Sequence, residues 1–214
     1  MLTRFCIVVI FSIAFAYIES AVVVYLREIF HPEGFTFPLT NFGTTPLWRR
    51  LLLTEIGREA ATIVLMLTGA WLFGKNLQQR FAFFLTIFAV WDIFYYVWLK
   101  VLINWPSTIM DWDILFLIPI TWAGPVLAPV LVSVTLLLFA VIILYRSSTG
   151  SPLEVDPINW VIFILAALVV VVSFCIAGRN IRKQDFKSHF HWPLFALGYT
   201  SAVALFLKCL LQSK

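Results

Sequence analysis

Residues 80–103, RFAFFLTIFAVWDIFYYVWLKVLI, decide the fold. The run exceeds the roughly 20 apolar residues that a helix needs to cross the hydrocarbon of a bilayer. Asp92 stands near its middle. An ionised carboxylate at that depth costs at least a few kcal/mol, so such a residue faces a partner or a wet cavity. The stretch therefore reads as a transmembrane helix with a polar site on its inner face. Glu19, Glu55, Arg58, Glu59 and Lys100 also lie in or beside apolar runs.

Composition extends this reading to the whole chain. Of 214 residues, 62% are hydrophobic and 12% charged, with a mean hydropathy of +0.96. Soluble domains average about 25% charged residues, so most of this surface must meet lipid. The net charge of +4 gives no nucleic-acid signal. Cys6, Cys175 and Cys209 sit far apart in apolar runs without a CxxC pair, which suits packing. The opening FCIVVIFSIAFA, with Ala14 and Ala16, resembles a signal peptide, but the apolar run continues through AVVVYL and reads as a retained first helix.

Six apolar runs are long enough to span: 5–27, 50–73, 81–103, 114–145, 158–178 and 193–211. Thr45-Pro46 and Asp156-Pro157 supply helix starts, and Trp192-Pro193 a weaker one. The fourth run carries Pro119, Gly124, Pro125 and Pro129 in its first half. Interior prolines remove backbone bonds and clash with the preceding turn, so a re-entrant or kinked piece over 114–123 and a full span over 126–145 are expected. The expected fold is all-α, a polytopic transmembrane helix bundle of about six spans with a broken or re-entrant fourth segment, forming one domain over 1–214. The loop 28–47, rich in proline and aromatics, is expected to pack as a cap.

Loop charge orients the chain weakly. The loops after spans 1, 3 and 5 share one face with Arg27, Arg49, Arg50, Lys100, Arg179, Arg182, Lys183 and Lys187. The opposite face has Arg4, Lys75, Arg80, Arg146 and Lys214. The positive-inside rule puts the first face, with loops 28–47 and 178–191, in the cytoplasm.

A rise of about 1.5 Å per residue gives depths. Glu19, Arg58 and Glu59 each fall roughly 12 Å below the first face, and Asp92 and the break around Pro119, Trp122 and Gly124 fall in the same half. Glu55, Arg58, Glu59 and Thr62 follow i, i+3, i+4, i+7 spacing, as Asp92, Tyr95 and Tyr96 do in part, so each set forms one stripe. Glu19, Glu55, Arg58, Glu59, Asp92, Tyr96, Lys100 and Trp122 are the candidate ligand- or ion-binding residues. Structural pairing that fixes helix register would produce a similar pattern. His189 and His191, near Asp185, are weak metal candidates; no metal or other cofactor is expected, while bound lipid is. GxSxG, HExxH and P-loop motifs are absent.

The stretches 91–133, WDIFYYVWLKVLINWPSTIMDWDILFLIPITWAGPVLAPVLVS, 55–60, EIGREA, and 32–37, PEGFTF, resemble a family of uncharacterised bacterial integral membrane proteins. The resemblance covers roughly residues 19 to 135. It implies a bacterial inner-membrane protein and carries no activity with it. Small size and the lack of a catalytic motif point first to a non-enzymatic subunit of a larger membrane complex, or a homo-oligomer. The acidic cluster beside a broken helix points to a carrier of a proton, cation or small solute. A membrane enzyme acting on a lipid or quinone-like substrate is the third reading, with Asp92 or Glu59 as base and Arg58 holding an anionic group.

Overall fold

A computed structural model describes residues 1–32, 34–39, 46–179, 181–183 and 189–213. Among the described residues six helices form: α1 (Leu2–Phe30), α2 (Pro46–Phe73), α3 (Leu77–Ile103), α4 (Leu127–Ser148), α5 (Pro157–Gly178) and α6 (Trp192–Gln212). Between α3 and α4 lie two strands, β1 (Trp112–Phe116) and β2 (Trp122–Pro125). Helices α1, α3, α4, α5 and α6 are long and apolar enough to cross a membrane. Helix α2, which carries Arg49, Arg50, Glu55, Arg58 and Glu59, is not among them. The chain is a multi-pass helical bundle.

Local chemistry sets the helix ends. The Asn76 side chain accepts from the Gln79 N–H at 2.9 Å and opens α3. Asn104 closes it with a left-handed φ of 53°, a conformation asparagine tolerates better than most residues. Asp156 caps α5 by accepting from the Asn159 N–H at 2.8 Å, with Pro157 in the first turn. The start at Trp192-Pro193 is shifted by one position, since His191 is the cap residue of α6. Thr45 lies outside the described residues.

The fourth apolar run is broken before a full span, α4, as expected, but its first piece takes a different form. Residues 114–123 are not a re-entrant or kinked helix; they belong to an antiparallel β-hairpin, so the molecule is not purely helical. Trp112 pairs with Pro125, Asp113 with Gly124, Ile114 with Ala123 and Phe116 with Trp122, with a register shift between Ile114 and Phe116. A strand stores its backbone bonds in a partner strand, which lets the chain pass Pro119 and Pro125 where a helix would lose bonds. Pro125 ends β2, and Pro129 falls in the first turn of α4, whose N–H groups have no helical acceptor.

Helix α3 is the axis of the larger half and packs against α1, α2 and α4. Helices α5 and α6 pair with each other, and α5 supports β2. The approach of α5 to the hairpin needs glycine twice. Gly124 leaves room for the Phe174 and Phe190 rings, each 3.1 Å from where a Cβ would sit. At Gly178, a Cβ would overlap the Thr121 carbonyl oxygen. Gly178→Ala is therefore expected to displace the hairpin turn and cost about 1–3 kcal/mol, as overpacking does. A thermal melt of the purified variant checks this, and an unchanged midpoint would show that the contact is not tight.

The described part of the 28–47 loop packs over one end of the bundle. Leu39, Ala123 and Ile181 are buried together against Phe35, Phe37, Trp112 and Ile114, and the Leu39 N–H donates to the Ile181 carbonyl at 2.7 Å. Residues 33 and 40–45 of the expected cap lie outside the described residues.

Candidate functional site

The inner faces of α1, α2 and α3 meet the hairpin around a half-open cavity of about 130 Å³. Each helix contributes one stripe: Glu19, Val23, Leu26 and Arg27 from α1; Trp48, Leu51, Leu52, Glu55, Arg58 and Glu59 from α2; Trp91, Asp92, Tyr95 and Tyr96 from α3. These spacings repeat three or four residues apart, so each set shares a face. The hairpin adds Asp113 through Leu117, and His31, Phe35 and Leu39 close the end. At roughly 30 Å³ per water in the liquid, the cavity has room for about four waters.

Three ion pairs cross or line this wall. Arg58 contacts Glu19 of α1 through Nη1, while its Nη2 and Nε meet Glu55 at 2.5 and 2.8 Å. Thr62 also donates to Glu19, at 3.4 Å. Arg27 Nη2 meets Asp113 Oδ1 at 2.9 Å, with both side chains almost fully buried. Its guanidinium lies between the Phe35 and Trp105 rings, at 4.3 and 3.8 Å from their centroids. Such stacking offsets part of the lost hydration of the cation.

Two acids of this wall have no ion pair among the described residues. The Glu59 oxygens accept from the Leu117 N–H at 2.8 and 3.1 Å, which ties α2 to the hairpin turn. Asp92 accepts from the Ser133 hydroxyl of α4 at 2.7 Å. The cavity thus collects five carboxylates, Glu19, Glu55, Glu59, Asp92 and Asp113, against two guanidiniums, Arg27 and Arg58. At the closed end, burial and then the charge of Arg27 lower the pKa of His31, which favours its neutral form.

Of the residues singled out from sequence, Glu19, Glu55, Arg58, Glu59, Asp92 and Tyr96 line one cavity. Lys100 does not join them. It is exposed, and its ammonium donates to the Pro106 and Asn104 carbonyls at 3.0 and 3.4 Å. Trp122 also stands apart: its ring stacks on Phe174 and tilts against Phe116. The rings of His189 and His191 are 5.4 Å apart, Asp185 lies outside the described residues, and no metal-holding group of three or more His, Cys, Asp or Glu forms among the described residues.

Arg27, Tyr95 and Asp113 were missed as site residues. Tyr95 donates to Asp113 at 3.3 Å, completing an Arg27–Asp113–Tyr95 chain. The available signal was Asp113 itself, two residues beyond a second aspartate in MDWD. That second aspartate, Asp111, has a different task. Partial burial works to raise its pKa, but the Thr108 hydroxyl and the N–H groups of Thr108 and Ser107 outweigh it and hold the carboxyl low. It fastens the turn that leads into β1.

Comparison with known families, curated proteins and solved structures returns no match.

Proposed function

We propose that this chain is a six-span integral membrane protein that carries a small solute through an intramembrane pocket, with Asp92 and Glu59 as proton-exchanging groups. The observation behind this reading is an open volume lined by five carboxylates and two guanidiniums. Pairs that only fix helix register need no space beside them, so the volume favours a carrier over a purely structural subunit. Broken backbone at membrane depth is tolerated where it lines such a cavity, and the hairpin does so here. Arg58 is engaged by Glu19 and Glu55, which leaves it poorly placed to hold an anionic substrate and counts against the enzyme reading.

In this proposal α2 is the sixth span, its charges facing the pocket. The face with loops 28–47 and 178–191 is cytoplasmic by the loop-charge argument, and the membrane is a bacterial inner membrane. Bilayer lipid is the surrounding partner. Association with further membrane subunits or a second copy is compatible with the fold.

Proteoliposomes under a pH gradient test the carrier reading. The wild-type chain is expected to move protons or a small cation, with Asp92→Asn abolishing the flux. No flux above protein-free vesicles would overturn the reading; undiminished flux in Asp92→Asn would remove that residue from it.

A further inference from the structure

The acids of the cavity wall are not equally engaged. Glu19 and Glu55 share Arg58, and Asp113 has Arg27. Both oxygens of Glu59 accept from the Leu117 N–H. Asp92 has the Ser133 hydroxyl on Oδ2 and no partner among the described residues on Oδ1. One helical turn further along α3, Tyr96 is in the same position: its hydroxyl makes no hydrogen bond among the described residues. Both residues are more than nine-tenths buried, with exposures of 8% and 6%. Neither oxygen is sealed, however. The unpaired buried atoms that water cannot reach are Arg27 Nη1, Trp91 Nε1 and Trp122 Nε1. Since Asp92 and Tyr96 line the cavity, the space that their oxygens meet is the cavity. Each is a buried polar atom that calls for a partner there.

Charge and shape select among ligands. Five carboxylates against two guanidiniums repel an anion, because like charges side by side are costly. A calcium-like metal ion needs about six to eight oxygen ligands in one shell. No group of three or more His, Cys, Asp or Glu converges among the described residues. The wall already shows how it holds an organic cation. The Arg27 guanidinium pairs with Asp113 and lies between the Phe35 and Trp105 rings. Trp48, Trp91, Tyr95 and Phe116 extend such ring surface around the cavity, and ring faces attract a cation withdrawn from water. A carboxylate oxygen and a hydroxyl oxygen both accept N–H donors, which a primary ammonium has and a quaternary one lacks. At roughly 30 Å³ per water-sized group, 130 Å³ admits about four or five non-hydrogen atoms.

We infer that the solute is a small primary ammonium cation, held by Asp92 Oδ1 and the Tyr96 hydroxyl, with its short apolar body against the rings of the wall. This rests on the pocket being a solute site and names the solute's chemistry. Asp92 supplies the charge, and Tyr96 fixes where the N–H donors point.

Thermal stabilisation of the full chain in nanodiscs tests it, because a ligand that binds the native state raises its melting temperature. The probes are butylammonium, tetramethylammonium, butanol, butyrate, sodium and magnesium, each titrated at constant ionic strength. Butylammonium is expected to give the largest rise, and a saturable one. Tyr96→Phe keeps the ring, removes the hydroxyl, and is expected to weaken butylammonium binding about threefold to tenfold, as loss of one hydrogen bond does. Asp92→Asn is expected to weaken it by more than about tenfold, since hydrogen bonds to a charged group are the stronger ones. If Asp92→Asn does not fold, Tyr96→Phe decides the matter by itself. A larger rise with butanol, butyrate, sodium or magnesium would overturn the inference. An equal rise with tetramethylammonium would do the same, as would unaltered butylammonium affinity in the variants. No rise with butylammonium, in a chain that still shows Asp92-dependent flux in proteoliposomes, would sink the ammonium ligand and keep the carrier. Absence of both would remove both.

Discussion

Arg58→Ala is expected to destabilise the bundle by about 2–3 kcal/mol, less than the roughly 3–5 kcal/mol lost with one partner of a fully buried pair, because the Arg58 side chain is 22% exposed. Arg58 is the shared counter-charge of Glu19 and Glu55, whose side chains are 8% and 14% exposed. Its removal leaves two carboxylates in a mostly apolar wall, and it cuts the ionic bridge between α1 and α2. Equilibrium unfolding in mixed micelles measures the loss. The deficit should shrink as pH falls, because the orphaned carboxylates then accept protons. Neutralising the whole Arg58 cluster, with Glu19→Gln and Glu55→Gln added to Arg58→Met, should recover much of it, since apolar or neutral replacements of buried ion pairs are often tolerated. A single variant as stable as the parent at neutral pH would show that water reaches these acids freely.

Asp113→Ala carries the second large effect, about 3–5 kcal/mol. It strands the Arg27 cation between Phe35 and Trp105, and it takes an acceptor from the Tyr95 hydroxyl and from the Ile114 N–H. Asp113→Asn keeps the shape and part of the hydrogen bonding, so its loss should be smaller. A double-mutant cycle with Arg27→Met isolates the pair. Additivity of the two single losses would mean that the 2.9 Å contact contributes no coupling.

The sequence revealed the helices because each is a long apolar run, and because signals such as Asp156-Pro157 act within one turn. Glu55, Arg58 and Glu59 were visible as a site for the same reason: they share a helical stripe, and their depth follows from a constant rise. What it did not reveal depends on contacts distant in the chain. Arg27 and Asp113 are 86 positions apart, and Asp113 stands just outside the apolar run 114–145. The hairpin was hidden because β1 has five residues and β2 four, too few for an alternating pattern to stand out among prolines. Two candidates fell away for different reasons. Lys100 follows Tyr96 by one helical turn, but it lies near the end of α3 and its long side chain turns back to the carbonyls there. Trp122 lies at a suitable depth, but its strand directs the ring toward α5.

The hairpin also constrains how the protein is made. Two strands have two outer edges, and backbone groups on such edges find no partners in hydrocarbon, each at a cost of several kcal/mol. The segment therefore cannot wait alone in the lipid. Its anchors, Arg27, Glu59 and Tyr95, all precede it in the chain, so the cradle formed by α1, α2 and α3 is already synthesised when residues 112–125 leave the ribosome. Phe174 and Gly178 follow and cover the far side. In the six-span arrangement proposed above, the order of translation thus supplies a docking platform before the hairpin that needs it.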